Sequence, residues 1–321
     1  MNGNIPAREI TPRETFLSRR RLLQTLGIGA SVAATGGVYA WLADPGPSPY
    51  RTSGRGPREG DGGGEAVSIA DTLTPPETFT HYNNYYEFST DKRDPALLAA
   101  GFKPRPWSVT VDGRVAKPRT LDLDQLLSLA PAEERVYRHR CVEGWSMVIP
   151  WLGFPLAALL KAAEPLAGAK FVAFTSLLDP ARMPGQKSSV LRWPYVEGLR
   201  MEEAMHPLTL LSHGAYGEAL LPQNGAPLHL VIPWKYGFKG AKAIVRITLV
   251  DTQPATTWNL YSPADYGFYS NVNPSITRPR FSQRFEDRLG ETVDRRPTLA
   301  FNGYAEQVAD LYRGMDLAKD Y

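Results

Sequence analysis

The chain has 321 residues, 43% of them hydrophobic, with 28 glycines, 28 prolines and a single cysteine, which fits a loop-rich globular protein with an ample core and excludes a helical bundle. Its net charge of +3 is local: residues 1–43 carry Arg8, Arg13, Arg19, Arg20 and Arg21 against Glu9 and Glu14, so the rest of the chain is neutral. A neutral body removes the main support for nucleic-acid binding through a basic surface.

The N-terminal stretch "SRRRLLQTLGIGASVAATGGVYAWLA" runs from a basic cluster through an apolar segment, Leu22 to Val38, to small-residue sites near Ala40 and Ala43. That is the order of an export signal. Arg19 and Arg20 after Ser18, with Leu22 and Leu23 following, resemble a twin-arginine signal. Residues 1–43 are therefore expected to be a removable leader that delivers an already folded protein to the periplasm. The run is short and holds Gly27, Gly29, Gly36 and Gly37, which argues against a membrane anchor. Residues 44–66 are rich in Pro, Gly and charge, and 44–73 is read as a flexible linker ahead of a catalytic domain at 74–321.

Within that domain, "WSVTVDGRVAKP" reads as a strand, an Asp-Gly turn and a second strand. "TLDLDQLLSL" reads as a short helix capped by Thr120. "ERVYRHRCV" is strand-like and ends at Cys141, and "GFPLAALLKAAEP" is a helix with Pro155 in its first turn. "KFVAFTSLL" follows as a buried strand, and "VEGLRMEEAMHP" as a helix ended by Pro207. "APLHLVIPWKYG" and "AKAIVRITLVD" are strands, the latter cleanly alternating. Helices and strands mix without a βαβ period, which predicts an α+β class, with residues 255–321 as an irregular wrap.

The chemistry centres on Cys141, set in "VYRHRCVEGWSMVIPW". In an oxidising compartment cysteines usually pair, and one cysteine has no partner in its own chain. It is a packing residue, an intermolecular bridge, a reactive thiol or a metal ligand. On a strand, Arg138 and Arg140 share one face while His139 and Cys141 share the other. The five histidines show no helical zinc spacing, and no phosphate-binding glycine motif is present. A soft metal on a dithiolene cofactor needs only one thiolate from the protein. Asn224 in "PQNGAP", and Lys235, Lys239 and Lys242 interleaved with Gly237 and Gly240, are chemistry suited to a pterin edge and an anionic tail.

The blocks "HYNNYYEFSTDK", "RHRCVEGWSMVIPWLGFPL", "MPGQ", "YVEGLRMEEAMHPLTL", "LPQNGAPLHLVIPWKYGFKGAK", "TTWNLYSPADYGFYSNVNP" and "FNGYAEQVADLYRGMDL" stand in order from about residue 74 to the C-terminus. Together they resemble the catalytic subunits of periplasmic protein-methionine-sulfoxide reductases, molybdopterin enzymes with a sulfite-oxidase-like fold. The resemblance implies a β-rich molybdopterin-binding domain in which Cys141 ligates molybdenum. It also implies that Asn83, Tyr86, Glu87, Ser176, Asn224, His229, Gly240, Ala241 and Lys242 contact the cofactor. Ser176 stands where the family commonly has Thr, and His229 where many members have Arg.

The activity implied is removal of oxygen from methionine sulfoxide in periplasmic proteins, with electrons from a haem-bearing, quinol-linked membrane subunit. Trp145, Trp234, Tyr236 and Phe238 are candidates for an aromatic rim, and Arg278, Arg280 and Arg284 for docking the membrane subunit. The rivals are sulfite oxidation, reduction of small S- or N-oxides, a metal-free cysteine nucleophile and a non-enzymatic pterin-binding module.

Overall fold

The protein is described by a computed structural model covering residues 71–276, 282–290 and 292–321. The leader, nearly all of the linker, and Arg278 and Arg280 lie outside the described residues. Among the described residues no helix is long and apolar enough to cross a membrane.

Among the described residues twelve strands follow in chain order: β1 (Ser108–Gly113), β2 (Arg119–Asp122), β3 (Glu133–Arg140), β4 (Trp145–Pro155), β5 (Phe171–Ser176), β6 (Val196–Arg200), β7 (Leu210–Ala215), β8 (Glu218–Ala219), β9 (His229–Val231), β10 (Ile244–Val250), β11 (Phe285–Arg288) and β12 (Asp294–Pro297). One sheet runs β2-β1-β10-β5-β6, with β1 parallel to β10 and the other pairs antiparallel. The second runs β12-β11-β4-β7-β8, with β3 added on β4 and β9 on β7. Only short helices connect them, so the α+β expectation holds.

Several local readings change: β1 runs through Asp112 and Gly113 and its partner β2 begins only at Arg119, while Pro155 ends β4 and stands at the N-cap of the helix Leu156–Ala163 instead of in its first turn. The helix Leu123–Leu127 is capped by Asp122, not Thr120: Asp122 accepts from the Gln125 backbone and Gln125 reaches back to the Asp122 N–H. "VEGLRMEEAMHP" is mostly strand. Residues Val196–Arg200 pair with β5, and only Met201–Ala204 is helical, because Gly198 and the buried residues around it sit on the sheet. The tail is less irregular than its prolines suggest, since β11 joins β4 in parallel and β12 pairs with β11.

Strand β4 had no periodic signal. Nearly every residue of "WSMVIPWLGFP" is buried, on both faces, and such a run alternates in neither polarity nor size. It pairs with β3, β7 and β11, which makes it the axis of the second sheet.

Arg138 and Arg140 fasten this sheet from behind. Arg140 is fully buried, 3.3 Å from Glu286, and donates to the Phe285 carbonyl and Thr298 Oγ1. Arg288 completes the cluster on Glu286 and Ser146. Arg138 Nε donates to Asp71 at 2.7 Å, and Arg288 reaches the same carboxylate at 3.0 Å. These arginines tie β11 and the start of the domain to β3.

The bond from Arg138, working against burial and joined by Arg288, holds the Asp71 carboxyl down to about 2. A carboxyl lowered by folding stabilises the protein above its unfolded value of 3.8, and that contribution disappears as pH falls toward 2. Asp71→Asn is expected to cost about 2 kcal/mol at pH 6 and little at pH 2, measured by urea denaturation at both. An equal cost at the two pH values would contradict the ion pair.

Candidate active site

Cys141 directly follows β3 and begins the turn that returns as β4. Its backbone N–H donates to the Trp145 carbonyl at 2.9 Å, and the Gly144 N–H donates to the Cys141 carbonyl at 3.1 Å. Gly144 has φ +105°, a conformation L side chains rarely adopt, so the turn needs glycine there. The turn aims Cys141 Sγ into an open cavity of about 950 Å³, its solvent-filled mouth included. Asn84 Nδ2 donates to that sulfur at 3.3 Å and the Glu143 backbone N–H at 3.4 Å. Glu143 is itself fixed by Lys92 at 2.9 Å and by Trp145 Nε1 at 3.1 Å.

Burial, then the charge of Glu143, push the Cys141 thiol up to about 12. A bare thiol in this site stays protonated and is a poor nucleophile, whereas a bound metal ion removes its proton. Among the described residues no group of three or more His, Cys, Asp or Glu is placed to hold a metal ion. Among the described residues, Cys141 is the one thiolate position the cavity presents.

Asn83, Tyr86, Glu87, Asn224, His229, Gly240 and Lys242 line the same cavity as Cys141. Ser176 and Ala241 do not line it; both are buried just behind. Ser176 closes β5 opposite Ile244, and its backbone N–H donates to the carbonyl of Tyr195, a lining residue. Ala241 spends its carbonyl on the Leu230 N–H. His139 lines the cavity beside Cys141, as the strand alternation requires.

The polar groups of the cavity fit a pterin. Asn83 Nδ2 and Asn224 Nδ2 both donate to the Phe79 carbonyl, at 2.9 and 2.8 Å. That arrangement fixes both amides and leaves both Oδ1 atoms buried without a partner, together with Asn84 Oδ1. Buried polar atoms are rarely left so, and acceptors in this number suit the N–H edges of a heterocycle. Glycines give the backbone its close approach. A Cβ on Gly240 would stand 2.5 Å from the Leu230 carbonyl and 3.0 Å from His229 Nε2, and one on Gly237 2.5 Å from His139 Cε1. Gly185 of "MPGQ" similarly lets that turn press on the carbonyls of Tyr86 and Glu87.

Charge in the cavity is sparse. Lys242 reaches the Asn84 carbonyl at 3.2 Å and is the only lysine or arginine among the lining residues. Burial, eased by Lys242, pushes the Glu87 carboxyl up to about 7. His139 is pressed down to about 4 by burial and by Lys242. His229 is held well below its ordinary value, first by burial and then by Lys242. Its Nδ1 donates to the Asn224 carbonyl at 3.0 Å, so it faces the cavity as a neutral imidazole.

Lys235 and Lys239 do not converge on an anion. Lys235 is buried against Glu203 at 2.6 Å and Lys239 against Glu197 at 2.5 Å, so both anchor the loop and leave Lys242 as its single cavity-facing cation. Of the expected rim, Trp145 and Phe238 line the cavity, while Trp234 and Tyr236 are core. Tyr82, Tyr86, Trp258 and Tyr266 complete the aromatic wall. Arg284 is not among the lining residues.

Comparison with known proteins agrees with this chemistry. Residues 97–258 match the family described as "Oxidoreductase molybdopterin binding domain". A "Protein-methionine-sulfoxide reductase catalytic subunit MsrP" from Burkholderia mallei (strain ATCC 23344) is 52% identical over 322 residues, covering 98% of this chain and 95% of its own. The same-named protein of Ralstonia nicotianae (strain ATCC BAA-1114 / GMI1000) is 52% identical over 327 residues, covering 98% and 96%. The chain belongs to the molybdopterin-binding oxidoreductases, in the family of these catalytic subunits. A solved structure, the sulfane dehydrogenase SoxCD from Paracoccus pantotrophus, is 19% identical, covers 47% of this chain and 40% of its own, and has a TM-score of 0.40.

A molybdopterin cofactor brings dithiolene sulfurs of its own, so a metal held with it asks the protein for a single thiolate. Asn84, the side chain on Cys141 Sγ, was not among the residues singled out from the sequence. The doublet Asn83-Asn84 lies in an irregular segment, where no periodicity tells which amide meets the pterin side and which the sulfur.

Proposed function

We propose that this chain is a molybdenum-dependent reductase that removes oxygen from methionine sulfoxide in proteins, with Cys141 holding the metal. The observation that carries the reading is the pairing of one buried thiolate position with unpartnered pterin-type acceptors in an aromatic cavity that has one cationic side chain. When bound, the molybdenum cofactor supplies two-electron oxygen-atom transfer from sulfoxide to give thioether.

The chain's own residues prepare that step. Asn84 Nδ2 and the Glu143 N–H direct two hydrogen bonds at Cys141 Sγ, fixing the direction from which the sulfur binds. Asn83 and Asn224 offer carbonyl oxygens to pterin N–H groups, and Lys242 meets the anionic portion. Tyr82, Tyr86, Trp145 and Trp258 exclude water and accept the apolar methyl and methylene groups of the methionine side chain. Sulfite oxidation is disfavoured by the same wall, because a doubly charged anion asks for several converging cations and the lining supplies Lys242 alone.

The sequence has no C-x-x-C-H motif and, with one cysteine, no ligand set for an iron–sulfur cluster. Electrons therefore come from another protein, for which a haem-bearing, quinol-linked membrane subunit is proposed. The twin-arginine features of the leader support a periplasmic site of action, where methionine oxidation is a recurring lesion.

The test is metal analysis and turnover of the protein exported from cells that synthesise molybdopterin. About one molybdenum per chain, with reduction of methionine sulfoxide in an oxidised protein by a reduced dye, is expected. Turnover by molybdenum-free protein would refute the reading.

A further inference from the structure

The aromatic wall on the Tyr86 side continues past the edge of the cavity. Trp258 lines the cavity and meets Tyr86 edge-on at 5.1 Å, Tyr266 at 4.5 Å and Tyr261 at 5.6 Å between ring centroids. Tyr261 and its neighbour Leu260 end the short helix Thr257–Tyr261, and they are 48% and 50% exposed. An unbroken run of rings therefore leads from beside the reacting centre to an apolar surface in solvent.

A small sulfoxide fills only the inner part of this run. A sulfoxide carried on a polypeptide brings flanking residues that must lie outside the cavity. We propose that Tyr261, with Leu260, is a docking shelf for the polypeptide beside an oxidised methionine, and that it selects peptide-borne over free sulfoxide. The inference rests on the sulfoxide-reductase reading above. In an extended segment, the side chain two residues from the sulfoxide projects on the same side about 7 Å away, comparable to one ring step of this wall. An apolar residue at that position packs on the Tyr261 ring while the sulfoxide enters past Trp258.

The test compares Tyr261→Ser and Tyr261→Phe with the unaltered holoenzyme, using a reduced dye and two substrates. One is a peptide with methionine sulfoxide two residues from a leucine; the other is dimethyl sulfoxide. Tyr261→Ser is expected to raise KM for the peptide about fivefold with kcat unchanged, and to leave dimethyl sulfoxide kinetics unaltered. Tyr261→Phe, which keeps the ring, is expected to restore the peptide KM. An unchanged peptide KM in Tyr261→Ser overturns the assignment. So does an equal loss on both substrates, because only the peptide reaches beyond the cavity to the shelf. An unaltered enzyme that reduces dimethyl sulfoxide but not the peptide refutes the protein-repair reading itself, and the shelf with it.

Discussion

Cys141→Ser is expected to give a folded protein whose sulfoxide reduction falls by more than about 100-fold. Loss of residues that merely orient metal ligands already costs about 10–100-fold, and this change removes the proposed ligand atom itself. A serine oxygen is harder than a thiolate and stays protonated more readily, so it is a poor replacement on a metal whose other ligands are sulfur. The fold should survive because the turn depends on Gly144 and on backbone bonds from Cys141 and Gly144, none of which uses the sulfur. Electron paramagnetic resonance and metal analysis, alongside circular dichroism, separate the two effects. Turnover close to that of the unaltered enzyme would show that the thiolate does not hold the metal.

The largest stability effect is expected at Glu203, which is not among the residues lining the cavity. Its Oε1 accepts from Lys235 Nζ at 2.6 Å and from the Tyr312 hydroxyl at 2.6 Å, and its Oε2 from the Arg200 backbone at 2.9 Å. Glu203 and Lys235 are both fully buried. Glu203→Ala leaves the ammonium of Lys235 with only the Tyr269 carbonyl and Asn271 Oδ1. Stranding a buried charge in this way costs about 3–5 kcal/mol. Denaturant unfolding should show that loss in Glu203→Ala and a much smaller one in Glu203→Ala/Lys235→Met, where no charge is stranded. A double variant no more stable than the single would rule out the stranded charge as the cause. Because Lys235 opens the loop that carries Gly240 and Lys242, the single variant should also retain less molybdenum per folded chain.

Much of the cavity was readable because its residues sit in compact, chemically distinctive blocks. Cys141 is unique in the chain, and the alternation of β3 puts His139 with it and Arg138 and Arg140 behind. What sequence could not show was which polar residues spend their charge internally. Lys235, Lys239 and Lys242 look equivalent along the loop, yet their partners Glu203 and Glu197 lie well upstream, and only folding reveals that Lys242 is left for the cavity. The aromatic rim was misplaced for a related reason. Trp234 and Tyr236 belong to the packed core, while Tyr82, Tyr86 and Trp258 come from segments with no periodic pattern. The central strand β4 escaped notice because burial on both faces erases alternation.

The Phe79 carbonyl, which receives one amide from Asn83 and one from Asn224, has a consequence for assembly. Asn224 is 145 residues away from Phe79 in sequence, so this single oxygen joins the first helix of the domain to a loop made much later. Until the two meet, neither amide is held, so the pair of inward-facing Oδ1 atoms exists only once these two distant segments are in contact.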